Sequence, residues 1–276
     1  MKVGFPVREM VEKRISVRGY DGKKVSEEIK RQIMDYADRL CNPLGPKVRI
    51  KLIEKSTAAN GEKLGTYGII KGTDLYFGAA VPGHEHALEA LGYDVEQLVL
   101  YLTGLGLGTC WLGGTFNRSA FAAAMEVRED EIFPIISPVG YPAEKMRLIE
   151  KIMASGTKRE RRMPWDELFF DGDFGTALTP ENAGEYGRAL DMVRLAPSAV
   201  NKQPWRVVKQ GNTFHFFERH SLSGGEVDLQ RVDVGIAICH FHLTVLEQGL
   251  SGRFERVEPS FPLPENTDYI VSWIGA

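Results

Sequence analysis

The chain has 276 residues, enough for one large domain or two ordinary ones with a sizeable core. Its 34 basic and 37 acidic residues nearly cancel, so no global field draws it to nucleic acid or to an anionic membrane. The three cysteines, Cys41, Cys110 and Cys239, are odd in number and far apart, which argues against a disulfide framework or a thiolate metal cage and fits a reducing cytoplasm.

The opening "MKVGFPVREMVEKR" has no apolar signal core, and the longest uncharged run, 98–114, is broken by five glycines. No targeting or transmembrane segment is expected. "RISVR" follows, spacing Arg14, Ser16 and Arg18 two apart, so that extended chain puts all three on one face. Two guanidiniums and a hydroxyl converging on one point suit a phosphate. A helix capped by Ser26 and a strand "VRIKLI" come next, then "GTYGIIKG" (65–72), in which Tyr67 reads more as packing than as chemistry, and the strand "DLYFGAAV".

A long apolar helix ends in glycines before "TCWLGG", where Gly113 and Gly114 allow backbone to approach a ligand closely. The strand "IISPVG" and the basic run with Lys158, Arg159, Arg161 and Arg162 close the first half. The second opens with "LTPENAGEYGRALDMVRL", a helix that Thr179 is expected to cap, followed by "APSAVNKQPW". Pro197 and Pro204 fix φ there, and the residue before a proline, Gln203, is expected to be extended. Ser198 and Asn201 supply short donors and acceptors suited to a planar heterocycle. A strand "WRVVK", a second long helix ending at Gly249, the strand "GRFERV" and "IVSWIG" complete the chain.

The two halves repeat each other in three blocks of the same order. A helix fades at Arg-Leu before a proline in each; Gly92 and Gly106 match Gly235 and Gly249, fourteen residues apart in both; and "IISPVG" matches "IVSWIG". The chain therefore reads as a diverged tandem duplication, with halves 1–162 and 163–276. His84 with His86 and His240 with His242 are i, i+2 pairs, which a helix points apart, so no metal is expected. No phosphate-binding P-loop, nucleophile elbow or dinucleotide fingerprint is present.

Taken together, "RISVR", "GTYGIIKG", "GLGTCWLGG", "VGYPAEK", the basic run and "APSAVNKQPW" resemble the FMN-dependent nitroreductase family, and within it a branch with two nitroreductase-like domains fused in one chain. The resemblance implies an α+β fold in which the duplicated halves form an intramolecular pseudo-dimer, so that the chain acts as a monomer. It implies FMN held by Arg14, Ser16, Arg18, Tyr67, Gly113, Gly114, Lys158 and Arg161, with Pro197, Ser198 and Asn201 coming from what is ordinarily the other subunit. In place of "RISVR" the second half has "ELFFDGD", whose carboxylates would repel a phosphate, and in place of "APSAVNKQP" the first has "NPLGPK"; one FMN per chain is therefore expected. The implied activity is transfer of hydride from NAD(P)H through FMN to a small nitroaromatic or quinone-type acceptor, with the redox chemistry on the flavin and no obligatory side-chain acid or base. The alternatives are a non-catalytic flavin-binding scaffold and a flavin enzyme of different chemistry, such as a dehalogenase or desaturase.

Overall fold

The computed structural model describes residues 3–55, 64–144, 161–221 and 227–276. In chain order these form α1 (Val7–Lys13), α2 (Glu27–Ala37), β1 (Arg49–Glu54), β2 (Leu75–Pro82), α3 (Ala87–Gly104), β3 (Gly108–Thr109), α4 (Arg118–Met125) and β4 (Glu131–Gly140). They continue with α5 (Trp165–Leu168), β5 (Phe169–Asp171), α6 (Gly187–Leu195), β6 (Trp205–Gln210), β7 (Thr213–Arg219), α7 (Leu229–Glu247), β8 (Gly252–Glu255) and β9 (Thr267–Gly275). Among the described residues no helix is long and apolar enough to cross a membrane.

Two compact units divide the chain: residues 13–156, and residues 1–12 together with 157–276. The N-terminal helix thus packs with the later residues, and the Val7 N–H donates to Glu247 Oε1 at 2.5 Å.

The unit of residues 13–156 is built on an antiparallel sheet in the order β1-β2-β4-β3. Its apolar strand β2 is buried along nearly its whole length. A Cβ at Gly78 would stand 2.8 Å from Met125 and 2.9 Å from Phe133, so the strand needs a glycine where α4 and β4 close over it. Tyr76, Phe116, Phe121 and Phe133 pack edge to face in the core. Helix α3 packs against β2 and β3, and α2 against β1 and α3. As the sequence predicts, Ser26 caps α2, its Oγ accepting from the Ile29 N–H at 3.3 Å.

The other unit has a sheet in the order β5-β6-β7-β9-β8, parallel between β5 and β6 and antiparallel elsewhere. Phe214, Phe216, Phe241, Trp273 and Tyr186 form its aromatic core. Helix α6 packs on α7, which covers β6 and β7.

The two units share a topology. The order β1-β2-β4-β3 matches β6-β7-β9-β8, a long helix follows the second strand in each, and β2/β4 and β7/β9 both carry a register shift. The helices also stop in the same way. Gly106 has φ +76° and Gly249 φ +75°, while Leu107 donates to Leu102 O at 3.0 Å and Leu250 to Val245 O at 3.1 Å. This is the same left-handed glycine stop in each, with the N–H beyond it reaching back to an open carbonyl.

Two local expectations are corrected. Thr179 does not cap α6: its Oγ1 accepts from the Asn182 N–H at 3.2 Å in a turn, and α6 begins only at Gly187. Gly184, at φ +59°, breaks the helical path between them. His84 and His86 precede α3 and do not lie on a helix, whereas His240 lies inside α7 with its Nδ1 2.8 Å from Met192 O.

Candidate functional site

The predicted extended segment is present in the unit of residues 13–156. Val17 donates to Thr109 O at 2.8 Å, Lys71 to Arg18 O at 3.1 Å and Tyr20 to Lys71 O at 2.9 Å, so residues 16–20 bridge two neighbouring segments. Val17 is buried in the core cluster, with Ser16 exposed and Arg18 partly so, but Ile15 is 62% exposed and the Arg14 side chain only 9% exposed, so the expected alternation holds over 16–18 and not at 14–15. Burial pushes the Cys110 thiol up, opposed by the charges of Arg18 and Arg14 and by Ser16.

Arg14 is positioned by a residue that the sequence reading passed over. The fully buried side chain of Glu96, on α3, places Oε1 3.7 Å from Arg14 Nε, and its Oε2 accepts from Trp111 Nε1 at 3.0 Å. The available signal was an acidic residue inside the apolar run "GYDVEQLVLYL".

Gly113 and Gly114 stand in a bend just after Leu112, which pairs with Ile136. Arg118 Nη2 donates to Gly113 O at 2.7 Å, fixing the bend, and a Cβ added at Gly114 would meet nothing within 4 Å. The main chain there is open to close approach. Tyr67 is 72% exposed and sits at φ +48° beside Gly68 at φ +77°, so the expected packing role is corrected: its ring lies on the surface of a tight turn.

In the other unit, Lys158 and Arg159 lie outside the described residues, and Arg161 is exposed. Asn201 Nδ2 donates to Arg161 O at 3.1 Å, and Asn201 Oδ1 accepts from Arg162 Nη1 at 3.1 Å. Arg162 also donates to Ala196 O at 2.7 Å and Leu195 O at 3.0 Å. Ser198 Oγ accepts from the Gln203 N–H at 2.9 Å, and buried Asp233, on α7, accepts from the Ala199 N–H at 3.0 Å. Burial holds the Asp233 carboxyl well above the usual carboxylate range.

The expected extended Gln203 is a second correction in this loop. It lies at φ +50°, with Val200 at +45° and Asn201 at +58°. The cause is the network around it: Gln203 Oε1 accepts from the Met163 N–H at 2.9 Å and Nε2 donates to Asn201 O at 3.1 Å, outweighing the local bias of the following proline. The segment 197–203 is thus held in shape, and its polar side chains are largely spent on holding it.

This unit also contains a cavity of about 440 Å³ lined by Met163, Asp166, Glu167, Phe170, Arg206 and Arg219. Arg206 is buried; desolvation lowers its guanidinium to about 10, and Nη1 donates to Gln203 O and Trp205 O at 2.9 and 2.6 Å.

The structure therefore brings Arg14, Ser16 and Arg18 together in one unit and Arg161, Pro197, Ser198 and Asn201 together in the other. No curated protein matches the chain. Among solved structures it is similar to a protein described as a putative nitroreductase from Thermotoga maritima, at 22% identity and a TM-score of 0.63, covering 99% of this chain and 95% of that one. A nitroreductase family protein from Clostridium difficile has 22% identity and a TM-score of 0.43, over 59% of this chain and 95% of its own. A nitroreductase with bound FMN from Bacteroides fragilis has 16% identity and a TM-score of 0.42, over 52% and 92%. The first of these extends over the whole α+β architecture. The family model described as "Putative TM nitroreductase" matches residues 6–245, and the chain belongs to that family.

Proposed function

We propose that this chain is an FMN-dependent oxidoreductase that passes hydride from NAD(P)H to a small nitroaromatic or quinone-type acceptor, with one FMN per chain. The observation that carries the reading is the placement of Arg14, Ser16 and Arg18 in one short segment anchored by buried Val17, in a chain that belongs to a nitroreductase family. That donor set fits the group: two guanidiniums and a hydroxyl in one segment, with the nearby carboxylate of Glu96 already engaged by Arg14 and Trp111. The isoalloxazine would supply the redox chemistry.

Arg14, held by Glu96, and Ser16 bind the phosphate and ribityl end. Arg18 faces the pyrimidine edge and stabilises negative charge that develops there. Gly113 and Gly114 offer main-chain N–H groups, with open space around Gly114. Lys158 and Arg161 add cations for the phosphate, and Tyr67, exposed on its turn, is a further contact. Pro197, Ser198 and Asn201 are the further residues that the family resemblance implies for FMN, offered as main chain and ring edge because the Asn201 amide is occupied.

The shared topology of the two units supports descent from a tandem duplication; a monomeric chain is part of the same proposal. The three free cysteines fit a cytoplasmic setting. The engaged Asn201 amide favours one second reading, a flavin-binding protein without turnover.

An absorbance scan of the purified, FMN-loaded protein tests binding, with heat release giving the stoichiometry. One flavin per chain is expected, and absence of saturable FMN binding refutes the assignment. Anaerobic oxidation of NAD(P)H with an added nitro compound then separates the readings, since FMN-loaded protein without turnover is the binder.

A further inference from the structure

At the end of β7 a histidine and two carboxylates meet around a common point. His220 Nδ1 is 3.2 Å from Glu218 Oε1 and 3.6 Å from Asp228 Oδ2, and the three ligand atoms lie within 4.8 Å of one another. Zinc–nitrogen and zinc–oxygen bonds of about 2.0–2.2 Å give a tetrahedral shell with edges of roughly 3.3–3.6 Å. The two distances from His220 Nδ1 match such edges.

The chemistry of the cluster calls for a cation at that point. His220 Nε2 lies 3.0 Å from Asp268 Oδ2, and Nδ1 faces the carboxylates of Glu218 and Asp228, so a ring that kept its proton on the Asp268 side would offer the Nδ1 lone pair to an ion held between the two. Among the described residues, neither oxygen of Glu218, a fully buried side chain, has a hydrogen-bond donor. Arg231 flanks the far side, with Nε 3.5 Å from Glu218 Oε2 and Nη2 3.7 Å from Asp268 Oδ2, which leaves Glu218 Oε1 facing the imidazole. The link from Asp268 through the imidazole is the outer-shell arrangement that orients metal-binding histidines.

The donors are held before any ion arrives. The His220 N–H donates to Asn266 O at 2.9 Å, and Ser221 and Gln230 exchange two hydrogen bonds of 2.9 Å. Asp228 caps α7, its Oδ1 accepting from the Gln230 N–H at 3.0 Å while Oδ2 points to the cluster. His220 and Asp228 are both partly exposed, giving an ion a way in and a position for water.

We propose that Glu218, His220 and Asp228 form a binding site for a divalent transition-metal ion of the Zn²⁺ class, with Asp268 orienting the imidazole. The ion ties the end of β7 to the start of α7. The site stands apart from the flavin assignment and does not depend on it. It also differs from the 84/86 and 240/242 histidine pairs, from which the sequence expects no metal.

Chelator-treated full-length protein is titrated with Zn²⁺ alone by calorimetry, and with Co²⁺ alone by visible absorbance. One saturable site is expected, with Co²⁺ ligand-field bands and a higher melting temperature when Zn²⁺ is in excess. His220→Ala and Asp228→Asn should each weaken it at least about tenfold; asparagine remains a good helix cap, so the second change preserves the fold. Cys41→Ser and His84→Ala, which alter exposed groups elsewhere, should leave it unchanged. The proposal is overturned if wild-type protein shows no saturable binding, the result expected if a protonated His220 alone fills the cluster. It is equally overturned if binding survives His220→Ala and Asp228→Asn at full affinity.

Discussion

Arg162 Nη1 donates to Asn201 Oδ1 at 3.1 Å, so the basic run and the proline-rich loop are joined within one unit. The same guanidinium takes the Leu195 and Ala196 carbonyls at the end of α6, where a cation also complements the helix dipole. An arginine of the basic run thus acts as the clasp of the loop 197–203.

Arg162→Ala should therefore destabilise the unit. Three charge-assisted hydrogen bonds at a partly buried site are lost, with water replacing some of them, for a net cost of about 2 kcal/mol. Urea unfolding followed by tryptophan fluorescence reads this directly, and an unchanged midpoint would mean that the clasp contributes nothing. Asn201→Ala removes the Arg162 link together with the bond to Arg161 O and places an alanine at φ +58°, and should also cost about 2 kcal/mol.

For flavin affinity, Arg14→Ala should weaken FMN binding by about 2 kcal/mol, or roughly thirtyfold, the contribution of one charged hydrogen bond. Glu96→Gln keeps an acceptor for Trp111 but removes the charge beside Arg14. Its effect should be smaller, under about tenfold, because it acts through the orientation of Arg14. Titration of the apo-protein with FMN, following quenching of flavin fluorescence, measures both. Equal affinity for wild type and Arg14→Ala would count against the phosphate assignment.

The matched helix stops make a paired prediction. Gly106 and Gly249 occupy left-handed backbone with φ of +76° and +75°. Alanine at either should cost about 1 kcal/mol, the penalty of a Cβ in that conformation. Thermal melts of the two single variants should fall by similar amounts. A large difference would show that the two stops are not equivalent in energy despite their common geometry.

Much of this architecture was legible because it rests on local rules. The Ser26 cap and the terminal glycines are set by neighbours in sequence, and both stand as predicted; the alternation in "RISVR" holds only around Val17, since Ile15 is exposed. The features that were not legible depend on distant partners. Glu96 reads as an odd polar residue in an apolar helix until Arg14 and Trp111 are placed against it. Gln203 follows the pre-proline rule in isolation, yet Met163 and Ser198 hold it at positive φ. Thr179 has the residue type of a cap, but Gly184 breaks the path before a helix can begin there. His220 was never weighed beside Glu218, Asp228 and Asp268, because the acids come from three different segments.

Two buried carboxyls in the unit of residues 13–156 should shape its stability against pH in opposite directions. Arg49 grips Glu131 through bonds of 2.9 and 2.5 Å and holds its carboxyl down at about 2. A depressed carboxyl contributes stability that is present above its unfolded value near 4.3 and is lost as pH falls through the folded one, so Glu131→Gln should flatten the acid limb between about pH 4 and 2. Asp94 is the reverse case. Burial raises it to about 7 although Asn42 donates to Oδ2 at 2.8 Å, so the folded state holds a proton that the unfolded chain releases near 3.9. Its contribution is fully present below that value and is lost progressively as pH rises toward 7, by about 1.4 kcal/mol per unit before levelling off. Asp94→Asn should remove this decline between about pH 5 and 7. Urea midpoints across pH 2 to 8 for wild type and the two variants check both limbs. A wild-type profile that rises steadily from pH 5 to 7, with Asp94→Asn following it, would mean that Asp94 ionises normally in the folded protein.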